Sequence, residues 1–162
     1  MPLSQKEKQL LQDQKSHEKV CIQKYQKNAQ QTSDPKLKQL FQSYAQQEQQ
    51  HLNTIESILN GQAPAMNQAA PSQPTQQSQP NQQNNTQAQS TMTPSATSQA
   101  DAMLCQDMLM TEKYVSNAYN TAIFEFTDSN VRQALNHIQK EEQEHGEGIF
   151  NYMNNQGMYN VQ

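Results

Sequence analysis

Basic charge is scarce in this chain. Eleven Lys and Arg stand against fifteen Asp and Glu, for a formal net charge of −4 and a pI near 5.5. That leaves no cationic face for a phosphate backbone and argues against a nucleic-acid partner. Cysteine is nearly absent. Cys21 and Cys105 form no C-x-x-C and no zinc spacing, which excludes a rubredoxin-type iron site on this chain. Both fall on the helix faces described below, where a thiol packs as a small hydrophobe. An antiparallel arrangement of the first helices of the two halves allows the two cysteines to lie at similar heights, which leaves a disulfide open. No apolar run approaches the ~18 residues of a membrane span, and the opening MPLSQKEKQLL has no apolar h-region. The expectation is a protein made in the cytoplasm without a signal peptide and with no membrane segment.

Hydrophobic residues make up only 33%, aromatics 6% and charged residues 16%, a balance that would suggest disorder if it were uniform. It is concentrated instead. Residues 62–100 hold no charged or aromatic residue and no Leu, Ile or Val. This Gln- and Pro-rich stretch has nothing to bury and reads as a disordered or partly polyproline II linker. It separates two blocks of ordinary amphipathic composition, residues 4–61 and 101–157.

What those blocks contain is a repeat. Glu48-Gln49-Gln50-His51 and Glu142-Gln143-Glu144-His145 are separated by 94 residues, and the same offset aligns Leu10 with Leu104, Glu18 with Glu112, Tyr25 with Tyr119, Asp34 with Asp128 and Ile55 with Ile149. A duplicated helical hairpin is the simplest reading. Ser4 with Glu7 forms a capping box for a first helix running to about Gln31. Asp34 and Pro35 are an N-cap and a first helical residue for the second helix, which Asn60-Gly61 closes. Asp101 is taken as the N-cap of the third helix, and Thr127-Asp128-Ser129-Asn130 repeats the earlier turn ahead of the fourth.

Helical seams carry carboxylates where a bundle core expects Leu. The second helix reads Leu37, Phe41, Tyr44, Glu48, His51, Ile55, Ile58, and the fourth reads Val131, Leu135, Ile138, Glu142, His145, Ile149, Tyr152. The third reads Cys105, Met108, Glu112, Val115, Tyr119, Ala122, Phe126. The first, with Leu11, Glu18, Cys21 and Tyr25 interrupted by Gln14 and Asn28, has the poorest stripe. An i, i+3 Glu and His lie on one helix face. Neighbouring Glu141, Glu144 and Glu147 are set aside because Glu142 alone is on the seam and maps onto Glu48.

Two tight hairpins joined by one long crossover describe an all-α, ferritin-like four-helix bundle. One Glu from each of two helices and a Glu-x-x-His from each of the other two is the ligand pattern of dinuclear carboxylate bundles. The candidate ligands are therefore Glu18, Glu48, His51, Glu112, Glu142 and His145. Iron or manganese, two ions, suits that set, and zinc is not excluded. Desolvating four unpaired carboxylates would cost several kcal/mol each, against a typical total stability of ~5–15 kcal/mol, so cations, protons or water must meet them. The competing readings are a polar remnant of an ancestral site and solvated charges on a misregistered seam. Tyr25 and Tyr119, seven residues beyond Glu18 and Glu112, are either bulky core residues or donors that orient a carboxylate.

The segments DMLMTEKY, VRQALNHIQKEEQEHGEGIF and GMYNV resemble the coat F domain of the spore coat protein F family of endospore-forming Firmicutes, over about Gln106 to Val161. The resemblance implies a ferritin-like fold, synthesis in the mother-cell cytoplasm, deposition in the spore coat, other coat proteins as partners and scope for a homo-oligomer. It implies no catalytic residue. Two functions follow as expectations: a structural coat component whose Gln, Lys and Tyr side chains permit adhesion or cross-linking, and a ferritin-like oxidoreductase that removes peroxide or oxygen.

Overall fold

The computed structural model describes residues 2–62 and 96–159, with the side chains of 96–98 left aside. Four helices account for almost all of them: α1 (Gln5–Gln31), α2 (Pro35–Leu59), α3 (Ala96–Ile123) and α4 (Ser129–Asn155). Most of the intervening 62–100 linker lies outside the described residues, as does Val161 of the tail.

Local chemistry sets most of the helix ends. Ser4 and Glu7 form the reciprocal capping box, Asp34 accepts from Lys36 N with Pro35 at the start of α2, and Asp128 accepts from Asn130 N and Val131 N. Gly61 and Gly157 follow α2 and α4 with φ of +77° and +68°, the left-handed turn that a side chain resists. The start of α3 differs from expectation. It opens at Ala96, and Asp101 is a buried residue inside it, as its alignment with Glu7 in the repeat requires. Ala96, Gln99 and Ala100 are good helix formers, and nothing in them stops the helix short of the linker. At the other end α3 stops at Ile123, so Phe126 is buried from the turn instead of from the helix.

The helices form a square. α1 neighbours α2 and α3, and α4 neighbours α2 and α3, with no close approach along either diagonal. Lys6 pairs with Glu125 and Lys24 with Asp107, so α1 and α3 run antiparallel. Side chains of Gln47 and His51 meet those of His145 and Glu141, so α2 and α4 do too. Consequently α2 and α3 point the same way across the diagonal, and the chain between them has to return the length of the bundle, about 39 Å for 26 residues.

Two apolar clusters fill the interior and leave a polar layer between them. One gathers Leu11, Ile55, Ile58, Val115, Phe126, Leu135 and Ile138. The other gathers Leu37, Phe41, Met108, Ile149 and Met153, with Met158 packed on it. The cysteines are free and sit in different clusters, Cys21 in the first and Cys105 in the second. They do not share a height: antiparallel pairing sets Glu18 opposite Tyr119 and Tyr25 opposite Glu112, which puts Cys21 well up the bundle from Cys105.

Candidate metal centre

All six predicted residues lie in the polar layer, and each is almost wholly withdrawn from solvent: Glu18 and Glu48 at 0%, Glu142 at 0%, His145 at 1%, His51 at 2% and Glu112 at 3% exposure. α1 contributes Glu18 and α3 contributes Glu112. α2 and α4 each present a Glu and a His one helical turn apart, because i and i+3 share a face. The side chains resolve into two overlapping sets. Glu18, Glu48, His51 and Glu142 bring one ligand atom each to within 4.8 Å of one another, and so do Glu48, Glu112, Glu142 and His145.

Glu48 and Glu142 belong to both sets through different oxygens. Nδ1 of His51 stands 3.2 Å from Oε2 of Glu48 and 3.0 Å from Oε1 of Glu142. Nδ1 of His145 stands 3.2 Å from Oε1 of Glu48 and 3.8 Å from Oε2 of Glu142. Each of these carboxylates therefore offers one oxygen to either side, the posture of a bridging ligand. Glu18 approaches only the His51 side, at 3.6 Å, and Glu112 only the His145 side, at 3.7 Å.

Hydrogen bonds do not use up this polarity. Oε2 of Glu18, Oε1 of Glu48, Oε2 of Glu112, Oε2 of Glu142 and Nδ1 of His145 are buried without a hydrogen-bond partner. The 3.2 Å approach of His145 to Glu48 does not meet hydrogen-bond geometry, so those two atoms are neighbours without being bonded. Five unpaired buried atoms in one layer would be costly in a protein interior. Lone pairs that crowd together without facing one another suit a cation, and carboxylate plus imidazole is a donor set for iron, manganese or zinc.

Titration follows the same geometry. Burial pushes the Glu18 carboxyl up to about 8 and raises that of Glu142 well above the ordinary range. Burial also disfavours ionised Glu48, but the His145 and His51 imidazoles beside it prevail and hold it down at about 2. Burial opposes charge on His145 as well, and the carboxylates of Glu112 and Glu48 outweigh that and lift it to about 9. His51 is raised too, against its own burial, by Glu141, Glu142, Glu18 and Glu48.

Sequence reasoning missed the layer outside the six. Nε2 of His51 meets Oε2 of Glu141 at 2.8 Å, and Nε2 of His145 meets Oε1 of Gln47 at 3.1 Å. Glu141, set aside because it lies off the seam, thus fixes which ring nitrogen of His51 faces inward. Gln47 and Glu141 are themselves 94 residues apart, a signal the repeat carried. The tyrosines orient carboxylates, and they do so across the bundle: Tyr25 donates to Glu112 and Tyr119 donates to Glu18. Tyr44 lies over the His145 ring, centroids 4.2 Å apart.

Comparison with known proteins adds the lineage of one half. Residues 100–162 match the coat F domain family. The C-terminal hairpin is the part that resembles a coat F domain. It supplies three of the six side chains, Glu112, Glu142 and His145, and the hairpin before it supplies the other three. In structure the chain is similar to a two-domain protein of Anabaena variabilis that contains DJ-1/ThiJ/PfpI-like and ferritin-like domains, with a TM-score of 0.67 at 15% identity. The alignment covers 96% of this chain and 38% of that one, so this chain spans well under half of its length. The fold is ferritin-like. No curated protein matches the chain.

Proposed function

We propose that this protein is a spore coat component whose ferritin-like bundle binds a dinuclear metal centre, iron or manganese, through Glu18, Glu48, His51, Glu112, Glu142 and His145. The coat F domain supports the location in the coat. The convergence of four carboxylates and two imidazoles into two overlapping ligand sets, with five of their atoms unpaired, is the observation that supports the metal. Glu18 and His51 would serve one ion, Glu112 and His145 the other, and Glu48 and Glu142 both. Tyr25, Tyr119, Glu141 and Gln47 hold those ligands in place, and the two apolar clusters keep bulk water from the ends of the layer. Bound redox-active ions would supply reaction with peroxide or dioxygen, and this second reading, an oxidoreductase protecting the forming spore, is favoured by a cleft between α3 and α4 whose walls include Glu112 and Glu142. An exposed stripe on α3, formed by Met103, Met110 and Tyr114, supports contact with other coat proteins or a second copy of this chain.

Elemental analysis of the full chain purified without chelator tests the metal. Two ions per chain are expected, with most of the metal lost in Glu142→Ala and in His51→Ala. A wild-type chain that takes up no iron or manganese on reloading, and is no less stable in chelator, would defeat it.

A further inference from the structure

The two hairpins are copies, but their outer faces are not equivalent. Between α3 and α4 lies a cleft of about 700 Å³ whose walls include Glu112 and Glu142. Ser116 and Gly146 border it at the level of those carboxylates. The repeat places Ile22 and Leu52 at the same two positions on the α1–α2 face, and both are buried there, at 8% and 7% exposure. The groove found on that face, bordered by Gln26, Gln42, Ala45 and Gln49, touches none of the six ligands. Where the α1–α2 face carries two buried apolar side chains, the α3–α4 face carries a hydroxyl and a hydrogen atom.

The difference leaves real space. A Cβ built on Gly146 would meet nothing nearer than Cβ of Glu112, at 4.0 Å. A leucine side chain there would extend into the cleft. Leu109, Phe150 and Tyr159 give the cleft an apolar wall, with the Phe150 and Tyr159 rings packed edge to face at 5.1 Å. Its volume falls in the ~300–1,000 Å³ typical of small-molecule sites, and a peroxide or dioxygen would fill a small part of it.

We infer that the α3–α4 cleft is an entrance, created by Ser116 and Gly146, through which a small organic molecule of largely apolar body reaches the Glu112–His145 side of the cluster. The inference rests on the cluster as a binding site, but the entrance itself does not need a metal to be read. Glu18 is the built-in control: it is the repeat partner of Glu112 and lies behind Ile22 and Leu52.

Dicyclohexylcarbodiimide, an apolar organic reagent for buried carboxyls, is the probe. On the metal-free full chain, peptide mapping by mass spectrometry should find Glu112 modified at least about tenfold faster than Glu18. Gly146→Leu, which copies Leu52, should bring Glu112 down to the Glu18 rate while helicity is unchanged, and Ser116→Ile should act in the same direction. Equal rates in the wild-type chain, or a Glu112 rate indifferent to both substitutions, would overturn the entrance. Repeating the reaction after loading with manganese separates the two readings. Protection of Glu112 supports the metal centre, whereas unchanged labelling counts against the metal and leaves the entrance decided by the first comparison.

Discussion

Glu141 and Gln47 occupy equivalent places but differ in chemistry. A carboxylate on the outer nitrogen of His51 makes that imidazole a stronger ligand than the amide oxygen makes His145. The two proposed metal positions should therefore fill unequally. Stepwise calorimetric titration with manganese is expected to show a tighter first equivalent, assigned to the His51 side, and Glu141→Gln should weaken it by about 10–100-fold while sparing the second. These partners were not legible in the sequence as such. Both sit among Gln and Glu residues that look like an ordinary solvated face, and only the juxtaposition of α2 with α4 gives them a role. The six candidate ligands could be picked out because they break apolar seams at matched positions, where a charge without a partner is hard to explain.

At the scale of the helix, Gly146 and Gly148 look alike in sequence and differ in what surrounds them. An added Cβ at Gly148 would fall 1.8 Å from the Tyr44 hydroxyl, whereas at Gly146 it has only an ordinary contact. A helical Gly→Ala change gains roughly 1 kcal/mol when nothing obstructs it. Gly146→Ala should show that gain by denaturant unfolding. Gly148→Ala should not, because Tyr44 must leave its place over His145, and adding Tyr44→Phe should recover part of the difference. Most helix ends were readable because Ser4, Asp34, Asp128 and Gly61 act on their own immediate backbone. The start of α3 was not, since Ala96–Ala100 has the composition of the linker and becomes helical in continuity with the amphipathic stretch that follows. The crossed pairing of Tyr25 and Tyr119 was hidden for another reason: it depends on the antiparallel register of α1 against α3, which no local spacing encodes.

For the whole molecule, protons and the proposed metal would compete for the same layer. Glu18, ordinarily near 4.5, is raised to about 8, and His145, ordinarily near 6.5, is raised to about 9. Groups raised on folding contribute stability below their ordinary values and lose it as pH climbs through the raised ones. Glu48, lowered to about 2, contributes above its ordinary value and matters only in acid. The melting temperature of metal-free protein should therefore fall from about pH 4.5, where Glu18 begins to lose its contribution, to about pH 9, where His145 has lost its own. Metal binding requires deprotonated ligands, so affinity should rise over the same interval and loading should release protons, measurable in buffers of different ionisation enthalpy. A flat profile for the metal-free chain would mean that Glu18 and His145 are not held as their surroundings here dictate.

The central claim, that six side chains from four helices surround two adjacent ions, is tested most directly by anomalous scattering from crystals of the manganese-loaded full chain. Two peaks about 3.5–4 Å apart are expected, the separation usual in two-metal sites, one beside Glu18 and His51 and the other beside Glu112 and His145, with Glu48 and Glu142 between them. No peak in the polar layer, or ions bound only at the surface, would contradict the account.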